Sequence, residues 1–321
     1  MTRYLVERLI AFLPTLLGVS ILVFAALRLI PGDQITAQLG TEAGMLSEAQ
    51  RAALEEYYGI DKPVVQQYFT WLGDVLTGNL GFSIRQGREV LGLILDRFPV
   101  TLELALLSVA IGLSIGLPIG VLSALSRNSW VDLFGRVFAM LGLSVPNFLL
   151  GTLIIYVLSV YFGILPNSGD YVDFFEDPLR NLGQLIFPAI TLGFSFSASV
   201  MRMTRSALLE VLNEDYIRTA RSKGLVERVV IRRHSLRNAL IPVVTLIGVE
   251  FGYLLGGAFI VEQIFAMPGI GRLTVNAITQ RDYALVQGVT LFIAVLFVLL
   301  NLAVDLIYAV LDPRVSYGRS R

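Results

Sequence analysis

The sequence predicts an all-α integral membrane protein with six transmembrane helices. Three observations carry this. Of 321 residues, 55% are apolar and only 16% are charged, against about 25% charged in an average globular domain. The mean hydropathy is +0.70, and so few charges could not cover the surface of a soluble protein of this size. The apolar residues also gather into six separate runs, each near the roughly 20 residues a span requires.

The first run is Leu9–Ile30. It is long enough to span and lacks the small-residue cleavage site of a signal peptide. The segment Pro31–Pro99 follows, too long to be structureless. In it, Ser47-Glu48-Ala49-Gln50 reads as a capping box, with the serine at N-cap and the glutamine at N3. Ala49, Ala52, Ala53, Leu54 and Tyr57 give that helix an apolar stripe, and Gly59 ends it. Pro63 suits the first turn of a second helix, whose face runs through Val64, Tyr68, Trp71, Leu72 and Val75 up to Gly78. The pair reads either as a helical cap on the outer surface or as a hairpin lying on the membrane.

The second run is Val100–Leu125 and the third is Leu133–Phe162, joined by the short turn Ser126–Asp132. The third is overlong, so it tilts or leaves its ends in the interface. Next, Asp170, Asp173, Glu176 and Asp177 face the single Arg180. The fourth run, Leu185–Leu208, is interrupted by Pro188 and by Ser195, Ser197 and Ser199. The fifth is Ala239–Val261 and the sixth Val286–Leu311. Between the fourth and fifth, Arg202–Arg237 holds nine basic and four acidic residues, which places it in the cytoplasm. Parity puts both termini and the Ser126–Asp132 turn on the same side, in agreement with Arg3, Arg8, Arg127, Arg314, Arg319 and Arg321.

Glycines recur four apart in two spans: Gly112, Gly116 and Gly120 in the second, Gly248, Gly252 and Gly256 in the fifth. Such a face lets another backbone approach closely. It serves plain helix packing or a seam along which helices slide as a pathway opens. Arg28, Glu103, Arg136, Arg202 and Asp305 lie near span ends and can snorkel. Glu250 lies about ten residues into its span, so about 15 Å deep. A carboxylate there faces a polar cavity or an interhelical partner. With Ser195 and Ser197 it is a candidate lining of a translocation pathway.

The segment Glu210–Arg237 is too polar to enter a bilayer and too large for a simple turn. Asn213 can cap a helix through Glu214-Asp215-Tyr216-Ile217, with its acids in the first turn as the helix dipole prefers. Gly224 then stops or bends it, and a second helix runs through Val229, Val230 and Leu236 into Pro242. Helix, glycine bend, helix suits a rigid knob docking into another protein. A basic surface helix that only fixes topology fits the same chemistry.

Here the residues carry a resemblance. Arg218-Thr219-Ala220, then Arg221-Ser222-Lys223, then Gly224 is similar to the coupling loop in membrane subunits of ATP-binding-cassette (ABC) importers. That pattern is Glu-Ala-Ala, three residues, then Gly; Ala220 and Gly224 match, while Arg218 and Thr219 depart as the dipeptide and oligopeptide permease branch does. Ala239-Leu240-Ile241-Pro242 stands for its Ile-x-Leu-Pro element. Leu29–Asp33, Gly78–Ser83, Glu262–Leu273 and Asp312-Pro313-Arg314 also resemble that branch, and the long loop after the first span resembles its first (B-type) permease subunit.

The resemblance implies a type I ABC importer permease fold, with residues 1–99 as the first span plus outer loop. Residues 100–321 then form a five-helix core holding the coupling loop 210–238. It implies ATPase coupling through Tyr216, Arg218, Thr219, Ala220, Lys223 and Gly224. Its partners would be a second homologous permease subunit, two ATP-binding subunits and an extracytoplasmic substrate-binding protein, in a bacterial or archaeal inner membrane. ATP and Mg would be bound by partner subunits. The chain has no Gly-x-x-x-x-Gly-Lys-Ser/Thr phosphate loop, no cysteine and a single histidine, His234. No cofactor, metal or catalytic site is therefore expected here, and 25 basic against 25 acidic residues leave no basic field for nucleic acid. Substrates in the branch are dipeptides, longer peptides, glutathione or nickel. A secondary, ion-coupled transporter is the rival, but it would need inverted repeats and broken helices around a midplane site.

Overall fold

The computed structural model describes residues 2–29, 35–36, 44–166 and 170–311. Ile30 to Asp33, Gly169, the Asp312-Pro313-Arg314 motif, Arg319 and Arg321 lie outside the described residues, as do the side chains of Arg3, Arg8 and Asp305. The chain folds as α1 (Thr2–Leu29), α2 (Glu48–Tyr58), α3 (Val64–Leu76), β1 (Phe82–Ser83), β2 (Arg88–Glu89), α4 (Val90–Leu125), α5 (Trp130–Ser144) and α6 (Asn147–Phe162). It continues with α7 (Pro178–Leu212), α8 (Asp215–Ser222), α9 (Glu227–Val229), a π-helical turn (Val230–Ser235), α10 (Leu236–Gly257), α11 (Phe259–Ile264), α12 (Ile270–Thr279) and α13 (Tyr283–Leu311). Among the described residues, five helices are long and apolar enough to cross a membrane, and the bent pair α5–α6 makes a sixth span if counted as one.

The chain divides into two compact units, residues 1–99 with 268–298 and residues 100–267 with 299–321. In the first unit, α2 begins as the capping box requires. The Gln50 amide donates to Ser47 Oγ (3.3 Å) and the Ser47 amide to Gln50 Oε1 (3.0 Å). Gly59 ends the helix at φ +64°. Pro63 sits at the N-cap of α3, one residue ahead of the first turn expected for it. A two-residue antiparallel ribbon pairs Phe82 with Glu89 and Ser83 with Arg88. It is an exception to the all-α expectation, too short for any alternation to betray it. The Ser83 hydroxyl donates to Asp282 Oδ2, and Asp282 Oδ1 accepts the Leu285 amide at the start of α13. The unit's core joins Val90, Leu93 and Ile94 of α4, Ile270, Leu273 and Ala277 of α12, and Leu285 and Val289 of α13. Helix α4 therefore starts ten residues before the expected Val100, because its first turns carry core residues between polar ones.

The second unit is built around α7, the most buried of the candidate spans. Asp177 caps it, accepting the Leu179 and Arg180 amides, and Pro178 takes the first turn, where no N–H is needed. The helix carries Pro188 without ending. The third apolar run is not one tilted span but two helices bent by 98°. The cause is Pro146: the residue before a proline avoids helical geometry, and Val145 is extended at φ −83°, ψ 117°.

Candidate functional site

Asn213 does not start a helix. It closes α7, its side chain donating to Leu209 O (2.8 Å) and its amide to Glu210 O. Glu214, extended at φ −67°, ψ 146°, is the N-cap of α8, and its carbonyl accepts the Ile217 and Arg218 amides. The acids still sit where the helix dipole favours them, at Glu214 and Asp215.

Helix α8 has one apolar face. Ile217 and Ala220 are buried against Val230, with Val211 beside them. Burying Ile217 alone is worth about 1.5–3 kcal/mol, enough to hold a short polar helix in one orientation. The opposite face is exposed. Arg218 pairs with Asp215 (3.2 Å), Thr219 Oγ1 donates to Asp215 O and Ser222 Oγ to Arg218 O. Lys223 is the C-cap, and Gly224 turns the chain at φ +77°. Arg221 reaches over that turn to Glu227 with two hydrogen bonds (2.7 and 3.2 Å). Tyr216 OH accepts from Asn238 Nδ2 (2.8 Å) and donates to His234 O (3.5 Å), tying α8 to α10. The return passes through α9 and the π-helical turn, where Ser235 Oγ donates to Val230 O (3.2 Å).

Residues 221–228 are continuously exposed. Val226 is 72% exposed and Leu225 38%. Sequence reasoning does not single out Val226, although an apolar residue just after a glycine bend in a polar segment is a legible sign of a contact surface. Helix, left-handed glycine, short helix and stapling ion pair together form a rigid polar tip with an apolar crest.

The glycines of α4 meet α7. A Cβ at Gly116 would lie 2.5 Å from Ser197 O, and one at Gly120 would lie 2.8 Å from Met201 O. Gly112 faces the Phe196 ring, and Gly193 answers from α7 against Ser108 and Ile111. In α10, Gly248 lies against Val304; Gly252 is buried and Gly256 half-buried. Ser197 is buried, its hydroxyl donating to Phe194 O (2.6 Å), while Ser195 is half-buried. Glu250 is half-buried, and among the described residues no hydrogen bond joins it to Ser195 or Ser197.

Three polar networks in this unit escape sequence reasoning. Buried Asp132 accepts from Arg205 Nε (2.6 Å) and Nη2 (2.9 Å), Ser123 Oγ (2.6 Å) and the Asn128 amide (3.0 Å). This pins the α4–α5 turn to α7, about two turns before that helix ends at Leu212. Glu103 does not snorkel: it accepts from Tyr171 OH (2.8 Å) and Asn181 Nδ2 (3.0 Å). Burial, and then the Glu103 carboxylate, push the Tyr171 phenol well above its ordinary value. Buried Thr101 donates to buried Glu262 (2.7 Å). The signals are weak because the partners from different spans and loops, Arg205 with Asp132, Tyr171 and Asn181 with Glu103, and Thr101 with Glu262, lie 68 to 161 residues apart.

Residues 116–317 match the family described as binding-protein-dependent transport system inner membrane component. Residues 1–105 match the corresponding N-terminal membrane-component family. The oligopeptide transport system permease protein AppB of Bacillus subtilis is 42% identical over 99% of this chain and 100% of its own. The glutathione transport system permease protein GsiC of Pectobacterium atrosepticum is 41% identical over the same shares. A solved chain of the MetNI methionine ABC transporter, in an inward-facing conformation, superposes with a TM-score of 0.53. It is 20% identical and covers 68% of this chain and 96% of its own, a likeness of fold.

Proposed function

The chain belongs to the family of binding-protein-dependent transport system inner membrane components, and from that premise we propose that it is one permease subunit of an ATP-driven peptide importer. Relatives named for oligopeptide and glutathione transport support the peptide class, glutathione being itself a small peptide. In this reading both termini and the α8–α10 connection are cytoplasmic, the membrane is a bacterial or archaeal inner membrane, and the chain itself is non-catalytic. A second, related permease subunit supplies the other half of the pathway. Two ATPase subunits bind ATP and Mg, and an extracytoplasmic binding protein delivers the peptide.

The observation that carries the reading is the exposed tip at Gly224, held by buried Ile217, Ala220 and Val230. Tyr216 orients α8 and Ala220 anchors it. Arg218, Thr219 and Lys223 present the face toward the ATPase, and Gly224 sets the bend. Closure of the ATPase dimer on ATP draws the two permease tips together and opens the pathway outward; hydrolysis resets it. Nucleotide shifts this equilibrium only because the docked tip makes different contacts in the two states.

The test uses the absence of native cysteine. Lys223→Cys should react with an impermeant thiol reagent only after permeabilisation, and Gly169→Cys should react from outside intact cells. The reverse pattern would put the tip on the wrong side for any ATPase.

A further inference from the structure

We infer that α3 is an amphipathic helix seated in the acyl-chain boundary of the bilayer, its stripe Val65, Phe69, Leu72 and Leu76 facing lipid. The inference goes beyond the transport role and rests on it only in taking α1 as a membrane span.

Depth is the first observation. Helix α3 packs along α1 at Ser20, Phe24 and Arg28, one turn apart on one face. Tyr68 OH is 2.9 Å from Ser20 Oγ. The Phe24 ring lies 5.2 Å from Tyr68 and 5.5 Å from Trp71, with the Arg28 guanidinium 3.4 Å over its centre. Phe24 and Ser20 lie five and nine residues inside the span's end at Leu29, so about 8 and 14 Å deep at 1.5 Å per residue. A helix perched on the outer surface would not reach there.

The second observation is the polar pairing at the span's end. Arg28 lies one residue inside Leu29 with an exposed side chain. Its Nε and Nη2 donate to Gln67 Oε1 (3.1 and 2.6 Å). Gln67 Nε2 in turn donates to Lys62 O (2.8 Å) and Ile60 O (3.3 Å). This pairing ties the start of α3 to the outer end of α1, the level at which long cationic side chains meet the headgroup boundary.

The third is the two-sidedness of α3. Residues 65, 69, 72 and 76 fall on one face at helical spacing. Val65, Phe69 and Leu76 are 67%, 63% and 79% exposed. Gln66, Thr70 and Asp74 occupy the opposite face, also exposed. Leu17, Ile21 and Leu22 of α1, in the same unit, are likewise exposed, as expected of a span facing lipid. A helix buried about 5–10 Å at the headgroup–acyl boundary with its polar face outward has this form.

The test is a nitroxide scan of single cysteines from Val64 to Leu76 in the assembled importer, reconstituted in liposomes. Collisions with oxygen report lipid, and collisions with a water-soluble nickel chelate report water. The two profiles should oscillate out of phase, oxygen peaking at residues 65, 69 and 76 and nickel at 66, 70 and 74. Nickel peaks at 65, 69 and 76 would make α3 a water-exposed cap. Low collision rates with both would mean that a protein partner covers the stripe. Either result overturns the inference. Labels at Leu17 and Leu22 are the control: nickel access there would overturn the spanning reading of α1 as well, and so tell that failure apart.

Discussion

Replacing Gly224 separates the strain of a turn from the fit of a partner. At φ +77°, an L-residue meets a Cβ–carbonyl clash that glycine avoids, and among the described residues a Cβ built there finds no atom within 4 Å beyond its own chain neighbours. The intramolecular cost of Gly224→Ala is thus backbone strain alone, about 1–2 kcal/mol. The exposed tip of the undocked variant can relax out of this bend, so the strain is restored on docking; at about 1.4 kcal/mol per tenfold, docking of the ATPase subunits should weaken by up to roughly 5- to 30-fold. Gly224→Asn should cost less, since asparagine tolerates left-handed geometry. Gly224→Leu carries the same strain as alanine plus a longer side chain that starts from that open position. With the two permeases equally stable on their own, any further loss of docking in leucine arises against a docked partner. The assay is titration of ATPase subunits onto purified permease, with peptide uptake by proteoliposomes and the thermal stability of the permease alone. The expected order of affinity is Gly, Asn, Ala, Leu, with leucine and alanine permeases equally stable. Native docking and uptake in Gly224→Leu would refute the coupling role. Equal loss in Ala and Leu would leave the bend important but show no groove closed around it.

Gly116→Ala places a Cβ 2.5 Å from Ser197 O, so α4 and α7 must part. A drop in melting temperature equivalent to about 1–3 kcal/mol is expected, whereas Gly18→Ala, with nothing within 4 Å, should be neutral or stabilising; equal effects would deny the seam its packing role. Arg205→Ala removes the nearer cation from buried Asp132, leaving Arg136 at 3.8 Å and the Ser123 and Asn128 donors, at a cost of up to about 3–5 kcal/mol. Arg205→Ala with Asp132→Ala should recover part of that in a thermal melt, and a double variant no more stable than the single one would rule the ion pair out as the cause. Glu250→Gln should change uptake rate or peptide preference while leaving complex assembly intact, checked by uptake beside size-exclusion chromatography. Loss of assembly and transport together would make Glu250 a packing group.

Local and periodic features are legible in the amino-acid sequence. The capping box at Ser47 and Gln50, the helix stop at Gly59 and the positive-φ bend at Gly224 each depend on a few neighbouring residues, and each stands where the local chemistry places it. The α8–α10 connection is legible for the same reason: a polar, glycine-broken stretch between apolar runs has few backbone solutions. Asn213 is misplaced by sequence reasoning because the same residue type caps a starting helix or closes an ending one, and here α7 claims it.

The sequence by itself determined which segments are apolar enough to span, where the basic connection lies and which helix faces carry only glycine. These are properties of composition and of the 3.6-residue period, and neighbours in sequence suffice to set them. Tertiary structure alone decided the 98° break at Pro146, the seating of α3 on Ser20, Phe24 and Arg28, and the capture of Asp132 by Arg205. A proline permits a kink without setting its angle. A buried charge or a tyrosine hydroxyl needs a partner without naming one 48 or 73 residues away. Only packing, which brings distant segments within hydrogen-bond reach and removes the water that would otherwise serve, makes those choices.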